Sequence, residues 1–279
     1  MTLILTELSE FGIAMAADTA STVDSLNTRG TIESRAFNGL IKLLPVDKLE
    51  AGISYWGWSQ LPPNEQIGCG VWMDWWLNDF LVRNRNRFDT IEELALLLES
   101  ELRERVPELS DEELKRSQFG YGGVHLTGFV DYEDNKIPCF WHIHNGESQE
   151  SPRKDLNPKI VNANYDCPPE KFLRKYLPMG GLMVRNGEYE PYARFFDKYL
   201  KKYLQELQRE EGIYIPIPTL PFRAEFLRAQ ILFMSGLYAV GGDYINKEGV
   251  ILKKARSIGN EVTVLTITAE EGITNYIVR

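Results

Sequence analysis

A threonine directly follows the initiator methionine of this chain, and a threonine in that place can do chemistry. A small residue at position 2 permits removal of Met1, which leaves Thr2 with a side-chain hydroxyl and a free α-amine. The α-amine has an ordinary pKa of roughly 8, so a neutral fraction exists near pH 7. The amine can therefore serve as general base for the hydroxyl of the same residue, which activates an otherwise weak nucleophile.

The residues that follow Thr2 predict a β-hairpin. Two short apolar runs, Leu3–Leu5 and Ile13–Ala17, flank a polar tip that contains a glycine, as in a tight turn between strands. Both runs are almost continuously apolar, which is typical of strands that are covered on both faces. Asp18 ends the second run, and Lys42 lies in a later apolar run.

This beginning resembles a proteasome β-type subunit, a member of the N-terminal nucleophile (Ntn) hydrolase superfamily. The similar features are Thr2, the turn glycine and the stretch Gly12-Ile-Ala-Met-Ala-Ala-Asp18. In the family an Asp lies sixteen residues after the nucleophilic Thr, as Asp18 does here, and a Lys follows at the head of a later strand, where Lys42 stands. The separation between Asp18 and Lys42 is longer than usual, so we expect an insertion in Ser21–Phe37.

The resemblance implies a fold and a reaction. The fold is a four-layer α-β-β-α sandwich, in which two antiparallel sheets are flanked by helices; periodicity alone gives only the α+β class. We expect a single domain over residues 1–279, with insertions near 147–178 and 212–221. The implied reaction is hydrolysis of an amide bond through an acyl-enzyme on Thr2, with Asp18 and Lys42 as the other catalytic residues.

The family comparison also implies where the supporting backbone lies. The N–H groups of Trp56 and Gly57 are the candidates for an oxyanion hole. Two glycine steps, Gly180-Gly181 and Gly241-Gly242, are expected near the nucleophile. No metal and no organic cofactor is required by this mechanism.

Departures from the family pattern leave two alternatives open. The family has a Ser where this chain has Gly180-Gly181, and it often has an Asp and a Ser where this chain has Leu237 and Val240. A catalytically silent scaffold or assembly subunit is therefore one alternative. The other is an amidase for a small metabolite, because the insertions could cap the cleft and exclude long peptides.

Composition limits the partners. The net charge of −9 argues against binding of nucleic acid, whose phosphates require a basic surface. No apolar run approaches the ~20 residues that span a bilayer, and the N-terminus lacks the basic region of a signal peptide. The three cysteines match no zinc or disulfide framework. From these features we expect a cytoplasmic protein. The resemblance implies a peptide or small amide as substrate and self-association into a homo-oligomer.

Several further elements are predicted from local patterns. Ser21–Asn38 is predicted to be a loop with a short strand near Ser34–Phe37, and Leu40–Leu44 with Leu49–Tyr55 a second hairpin in the same sheet as the first. A helix is predicted to enter at Pro62-Pro63-Asn64-Glu65 and to continue through Phe80. The sequence Asp89-Thr-Ile-Glu-Glu93 is a capping signature for a second helix, which Pro107 would end.

The later part of the chain is predicted with the same signals. Strands are expected at Ser117–Phe129, Ile137–His144, Pro178–Val184 and near Lys159–Asn162, followed by closing strands at Val250–Ala255, Val262–Thr268 and Ile273–Val278. Amphipathic helices are expected at Pro191–Arg209 and Phe222–Ala239. His142 and His144 are two residues apart and so share one face of their strand, which favours a structural pair over a metal site because no third ligand is placed.

Overall fold

The structure is a computed structural model that consists mainly of β-strands, with a few helices. It describes residues 3–26, 32–37, 39–62, 70–106, 121–145, 160–187, 206, 209–210, 219–240, 243–245, 251–253 and 258–278. The strands are β1 (Leu3–Ser9), β2 (Gly12–Asp18), β3 (Ser21–Leu26), β4 (Ile32–Phe37), β5 (Leu43–Val46), β6 (Ala51–Trp56), β7 (Gln60–Leu61), β8 (Val71–Trp72), β9 (Gly123–Tyr132), β10 (Asn135–His144), β11 (Asn162–Cys167), β12 (Leu182–Gly187), β13 (Asp243–Ile245), β14 (Ile251–Lys253), β15 (Val262–Thr268) and β16 (Gly272–Val278). The helices are α1 (Met73–Arg83), α2 (Ile91–Arg105), α3 (Pro169–Lys171) and α4 (Leu220–Val240), and α3 continues as a π turn and a 3-10 turn up to Met179.

Two five-stranded antiparallel sheets form the centre of the molecule. The first has the strand order β12-β1-β2-β15-β16, and the second has the order β11-β10-β9-β6-β5. The predicted first hairpin is confirmed, because β1 pairs with β2 from Ile4 opposite Ala17 to Ser9 opposite Gly12. Every residue of both strands is buried, as their continuous apolar character predicts.

Three apolar clusters separate four layers. One cluster joins α1 and α2 to the outer face of the second sheet, one joins α4 to the outer face of the first sheet, and the third fills the space between the two sheets. The period of two along each strand produces this division, since alternate side chains of β1 enter different clusters: Leu3 and Leu5 face α4, whereas Ile4 and Leu8 face the other sheet. The predicted α-β-β-α sandwich and its α+β class are confirmed.

The sheet assignment of the second hairpin was wrong. The hairpin itself exists, as β5 and β6, but it lies in the second sheet and not beside the first hairpin. Local patterns specify which face of a strand is apolar but not which neighbour it pairs with, and β6 pairs with β9 across a long stretch of intervening chain.

Two further local predictions need correction. The segment predicted as a loop, Ser21–Asn38, contains the paired strands β3 and β4. Val71 and Trp72, which were predicted to lie in the first helix, form the strand β8 opposite β7, and α1 begins at Met73. Residues 63–69 lie outside the described residues, as does most of the predicted helix Pro191–Arg209.

The capping prediction is confirmed in atomic detail. The hydroxyl oxygen of Thr90 accepts a hydrogen bond from the backbone N–H of Glu93, and the Glu93 carboxylate accepts one from the backbone N–H of Thr90. This capping box satisfies N–H groups that would otherwise have no partner at the start of α2. The C-terminal helix prediction is confirmed as α4. None of the described helices is long and apolar enough to span a bilayer.

Candidate active site

The carboxylate of Asp18 binds three segments of the chain. It is completely buried at the end of β2. Its Oδ1 accepts a hydrogen bond of 2.9 Å from the backbone N–H of Leu3, and its Oδ2 accepts bonds from the N–H groups of Ala20 (3.1 Å) and Gly259 (2.9 Å). Three chain segments are thereby fixed around one anion, and the first of them begins one residue after Thr2.

Lys42 reaches the same carboxylate from the second sheet. Its Nζ lies 3.1 Å from Asp18 Oδ1, and it also donates to the backbone oxygen of Ala20. The side chain is 1% exposed. Burial lowers the pKa of Lys42, and the negative charge of Asp18 acts against this effect. The ion pair therefore joins β2 of one sheet to the beginning of β5 in the other.

The backbone around Lys42 is anchored on both sides. The N–H of Leu40 donates to the carbonyl oxygen of Thr19, and the carbonyl oxygen of Lys42 accepts from the N–H of Tyr55. These contacts hold the residues before β5 against the end of β2 and against β6. The long insertion between Asp18 and Lys42, which forms β3 and β4, does not prevent the two side chains from meeting.

Tyr55 also indicates which way the next backbone donors point. In an antiparallel sheet, successive N–H groups of a strand point alternately to its two neighbours. Because the N–H of Tyr55 points to Lys42, that of Trp56 points to the opposite neighbour, β9, where Trp56 pairs with Gly123. β6 ends at Trp56, and the next residue, Gly57, has a φ of 76°, a conformation that favours glycine.

A cluster of all three histidines of the chain lies in the core beside this segment. The rings of His142 and His144 are 4.0 Å apart between centroids, which agrees with the predicted shared face of β10. The ring of His125, on β9, lies 5.1 Å from that of His142. The described residues contain no group of three or more side chains arranged to hold a metal ion.

Burial keeps these histidines neutral. It lowers the pKa of His142 and that of His144 to about 3, and it lowers that of His125 well below its ordinary value. Their hydrogen bonds agree with neutral rings, because His142 Nε2 lies 3.2 Å from the donor Nε1 of Trp56 and must accept. His144 Nε2 likewise lies 3.0 Å from the amide nitrogen of Asn164.

His125 connects the two sheets. Its Nδ1 lies 3.0 Å from the hydroxyl of Thr6 on β1, and its Nε2 lies 2.6 Å from the amide oxygen of Asn186 on β12. The amide oxygen can only accept, so Nε2 carries the proton and Nδ1 accepts from Thr6. Sequence reasoning singled out His142 and His144 but not His125, because the pairing of β9 with β10, which sets His125 opposite His142, is a tertiary choice.

The structure brings together only some of the residues expected at the site. Gly181 lies beside Leu8 and Ser9, at the end of β1 opposite to Leu3, so the Gly180-Gly181 step is remote from the Asp18–Lys42 pair. Gly180 and Gly181 both have positive φ values, as a tight step requires. Thr2, Gly241 and Gly242 lie outside the described residues.

One residue of α4 approaches the site indirectly. The hydroxyl of Ser235 is buried and donates to the carbonyl oxygen of Ile258 at 3.3 Å. Ile258 precedes Gly259, whose N–H donates to Asp18. Ser235 therefore supports the loop that binds the carboxylate. The sequence places Ser235 one turn before Val240 but does not reveal this connection.

No family model and no curated protein matches this chain. Among solved structures, a mutant of Anbu from Hyphomicrobium sp. strain MC1 is 12% identical, with a TM-score of 0.43 over 100% of this chain and 87% of that one. Anbu (ancestral beta-subunit) from Yersinia bercovieri is 13% identical, with a TM-score of 0.40 over 99% of this chain and 87% of that one. Similarity at this level does not transfer an activity or the role of any residue.

Proposed function

We propose that this chain is a threonine-type Ntn hydrolase that cleaves amide bonds through an acyl-enzyme after removal of Met1. The observation that supports this proposal is the buried Lys42–Asp18 pair, because the Oδ1 atom that binds Lys42 also binds the N–H of Leu3. One peptide bond joins Leu3 to Thr2. A nucleophile at position 2 would thus begin from a chain segment fixed by the same carboxylate that holds the lysine.

In the proposed reaction, the hydroxyl oxygen of Thr2 attacks the amide carbonyl while the α-amine of Thr2 takes the hydroxyl proton. The tetrahedral intermediate then collapses, the C–N bond breaks, and the proton passes to the leaving amine. Water next attacks the resulting ester and releases the acid, which restores the hydroxyl. Lys42 would lower the cost of negative charge on the Thr2 oxygen, and Asp18 keeps Lys42 in place.

Gly57 is the preferred oxyanion donor in this proposal. Gly57 directly follows β6, and one further step of the alternation that directs the N–H of Trp56 to β9 would direct the N–H of Gly57 to the side of Lys42. Loss of one such donor typically costs about 100-fold or more in rate. Trp56 precedes Gly57 and helps to position it, but the N–H of Trp56 is not the proposed donor.

The silent-scaffold alternative loses one of its supports. The absence of a Ser at Gly180-Gly181 says nothing about activity when that step lies at the far end of β1. A scaffold has no need of a charged lysine in a fully buried position, where charge is costly unless it is compensated. Peptides and small amides would both be cleaved by the same chemistry, so the substrate class is decided by the experiment below.

The decisive experiment is covalent labelling. Intact-mass spectrometry first establishes that Met1 has been removed, and the protein is then treated with a peptidyl β-lactone and with a small β-lactone. We expect acylation of the peptide that contains Thr2, and no acylation in Thr2→Ala or Lys42→Met. The matched control is Thr90→Ala, which removes a threonine hydroxyl at the helix cap of α2 and should be labelled like the wild type.

Two results would contradict the proposal. Retention of Met1 in essentially all molecules would remove the proposed base. A protein that begins at Thr2 and folds normally, yet reacts with neither lactone, would favour the scaffold. Preference for the peptidyl or the small lactone separates a peptidase from a metabolite amidase.

The resemblance also leads us to propose self-association. A ring-forming or otherwise oligomeric protein would scatter light as a multiple of the 32.0 kDa chain. A single 32.0 kDa species at micromolar concentration would refute this part of the proposal without affecting the chemistry.

A further inference from the structure

The indole of Trp56 is bound to a buried imidazole next to the proposed oxyanion donor. Trp56 Nε1 on β6 donates to His142 Nε2 on β10 at 3.2 Å, across the intervening strand β9. We propose that His142 is a positioning residue that acts through the indole of Trp56 and holds the Trp56–Gly57 backbone in the conformation from which Gly57 donates. This inference rests on the proposed function.

The sequence provides the space that the indole needs. Gly123 lies opposite Trp56 on β9, and a Cβ atom there would lie 2.9 Å from Trp56 Nε1 and 2.6 Å from the Cβ of His144. Any larger residue would push the indole away from His142. A missing side chain at this point therefore allows the hydrogen bond between β6 and β10 to form.

Close packing also fixes the backbone next to Trp56. A Cβ atom at Gly57 would collide with the carbonyl oxygen of Tyr121, and one at Gly122 would lie 2.5 Å from the ring of Trp58. The N–H of Trp58 donates to the carbonyl oxygen of Trp56 at 2.9 Å, which closes the turn around Gly57. These contacts fix the turn at Gly57 and Trp58, and the indole hydrogen bond to His142 holds the residue with which the turn begins, Trp56.

The surroundings of His142 determine which nitrogen accepts. Its Nδ1 faces Asp166 Oδ2 at 3.7 Å, and among the described residues the rings of His125 and His144 also lie against its ring. The hydrogen bond from Trp56 uses the lone pair of Nε2, so the proton of the neutral ring lies on Nδ1, which faces the carboxylate. A doubly protonated ring could not accept from the indole, so the hydrogen bond requires a neutral His142.

The test compares two substitutions of His142. His142→Gln keeps an acceptor near the position of Nε2, whereas His142→Phe keeps the ring volume and removes the acceptor. We expect His142→Phe to lower the maximal rate of β-lactone acylation about tenfold or more with little change in the concentration for half-maximal rate. His142→Gln should restore most of the rate. Trp141→Phe is the control, because this neighbour on β10 is also buried but stacks on Tyr165 on the other face of the sheet.

A double-substitution cycle shows whether His142 acts through Trp56. Trp56→Phe alone should reduce the rate as much as His142→Phe, and the two together should reduce it no further. Equal rates for His142→Phe and the wild type, or rate losses that multiply in the double variant, would overturn the inference.

A second measurement does not depend on activity. The indole N–H resonance of Trp56, identified by its loss in Trp56→Phe, should be protected from solvent exchange in the wild type and in His142→Gln. It should exchange at least tenfold faster in His142→Phe. Protection without any labelling would refute the proposed function but not the contact, whereas labelling with an unprotected indole would refute the positioning role alone.

Discussion

Asp18→Asn should destabilise the protein by an amount that depends strongly on pH. The substitution removes the anion that faces Lys42 and leaves a buried ammonium without its countercharge. The folded variant can avoid this cost by releasing the proton of Lys42. The unfolded chain keeps that proton until the pH approaches the ordinary lysine pKa of 10.5.

The magnitude follows from the gap between the pH and that pKa. One pKa unit corresponds to about 1.4 kcal/mol, so a neutral Lys42 at pH 7 costs about 5 kcal/mol of unfolding free energy. At pH 9 the same cost is about 2 kcal/mol. At a pH between the pKa of Lys42 in the folded variant and its pKa in the unfolded chain, the unfolded chain binds more protons. The stability of the variant therefore rises with pH in this range. We therefore expect the destabilisation by Asp18→Asn to shrink by about 3 kcal/mol from pH 7 to pH 9.

Lys42→Met is the matched control. It leaves Asp18 charged, but the carboxylate keeps the N–H donors of Leu3, Ala20 and Gly259. Its cost should be smaller than that of Asp18→Asn at pH 7 and should be the same at both pH values, because this variant no longer contains the lysine whose proton release makes the cost depend on pH. Urea unfolding followed by circular dichroism at pH 7 and pH 9 measures all three proteins. Equal destabilisation by Asp18→Asn at both pH values would show that Lys42 keeps its charge by other means and would refute the reasoning.

Three further predictions concern the histidines, the turn and the helix cap. Burial lowers the pKa of His142 and that of His144 to about 3, so below pH 6.5 the unfolded chain takes up protons that the folded chain does not. The free energy of unfolding should therefore fall as the pH drops from 6.5 towards 3. Urea midpoints measured over this range should fall less in a variant with Gln at both positions. Gly57→Ala should cost roughly 1–3 kcal/mol in urea unfolding and should abolish β-lactone labelling, because its Cβ meets the carbonyl oxygen of Tyr121 at a φ of 76°; labelling at the wild-type rate would contradict the role of this turn. Thr90→Ala should lower stability by about 1 kcal/mol through loss of the capping box, and an unchanged urea midpoint would show that the cap contributes nothing.

The sequence by itself determined the elements whose signals are local. The hairpin of β1 and β2 has an apolar run on each side of a turn glycine, and both strands formed where these runs stand. The capping box at Thr90 needs only residues within one helical turn, so it could be predicted together with the start of α2. The neighbourhood of Asp18 and Lys42 was predicted as well, from a resemblance that covers the beginning of the chain, and their ion pair is present at 3.1 Å.

Only the tertiary structure decided which strands became neighbours. Apolar alternation in β5 and β6 reveals their buried faces, but it carries no information about the partner strand, so the second hairpin was assigned to the wrong sheet. The same limit hid the link between Trp56 and His142, which are 86 positions apart and meet because β9 lies between β6 and β10. The placement of Gly180-Gly181 near the nucleophile came from the resemblance, and the pairing of β1 with β12 puts this step at the other end of β1 from Leu3. Backbone conformation is set by interactions within a few residues, whereas the contacts of a site depend on the pairing order of strands that are distant along the chain.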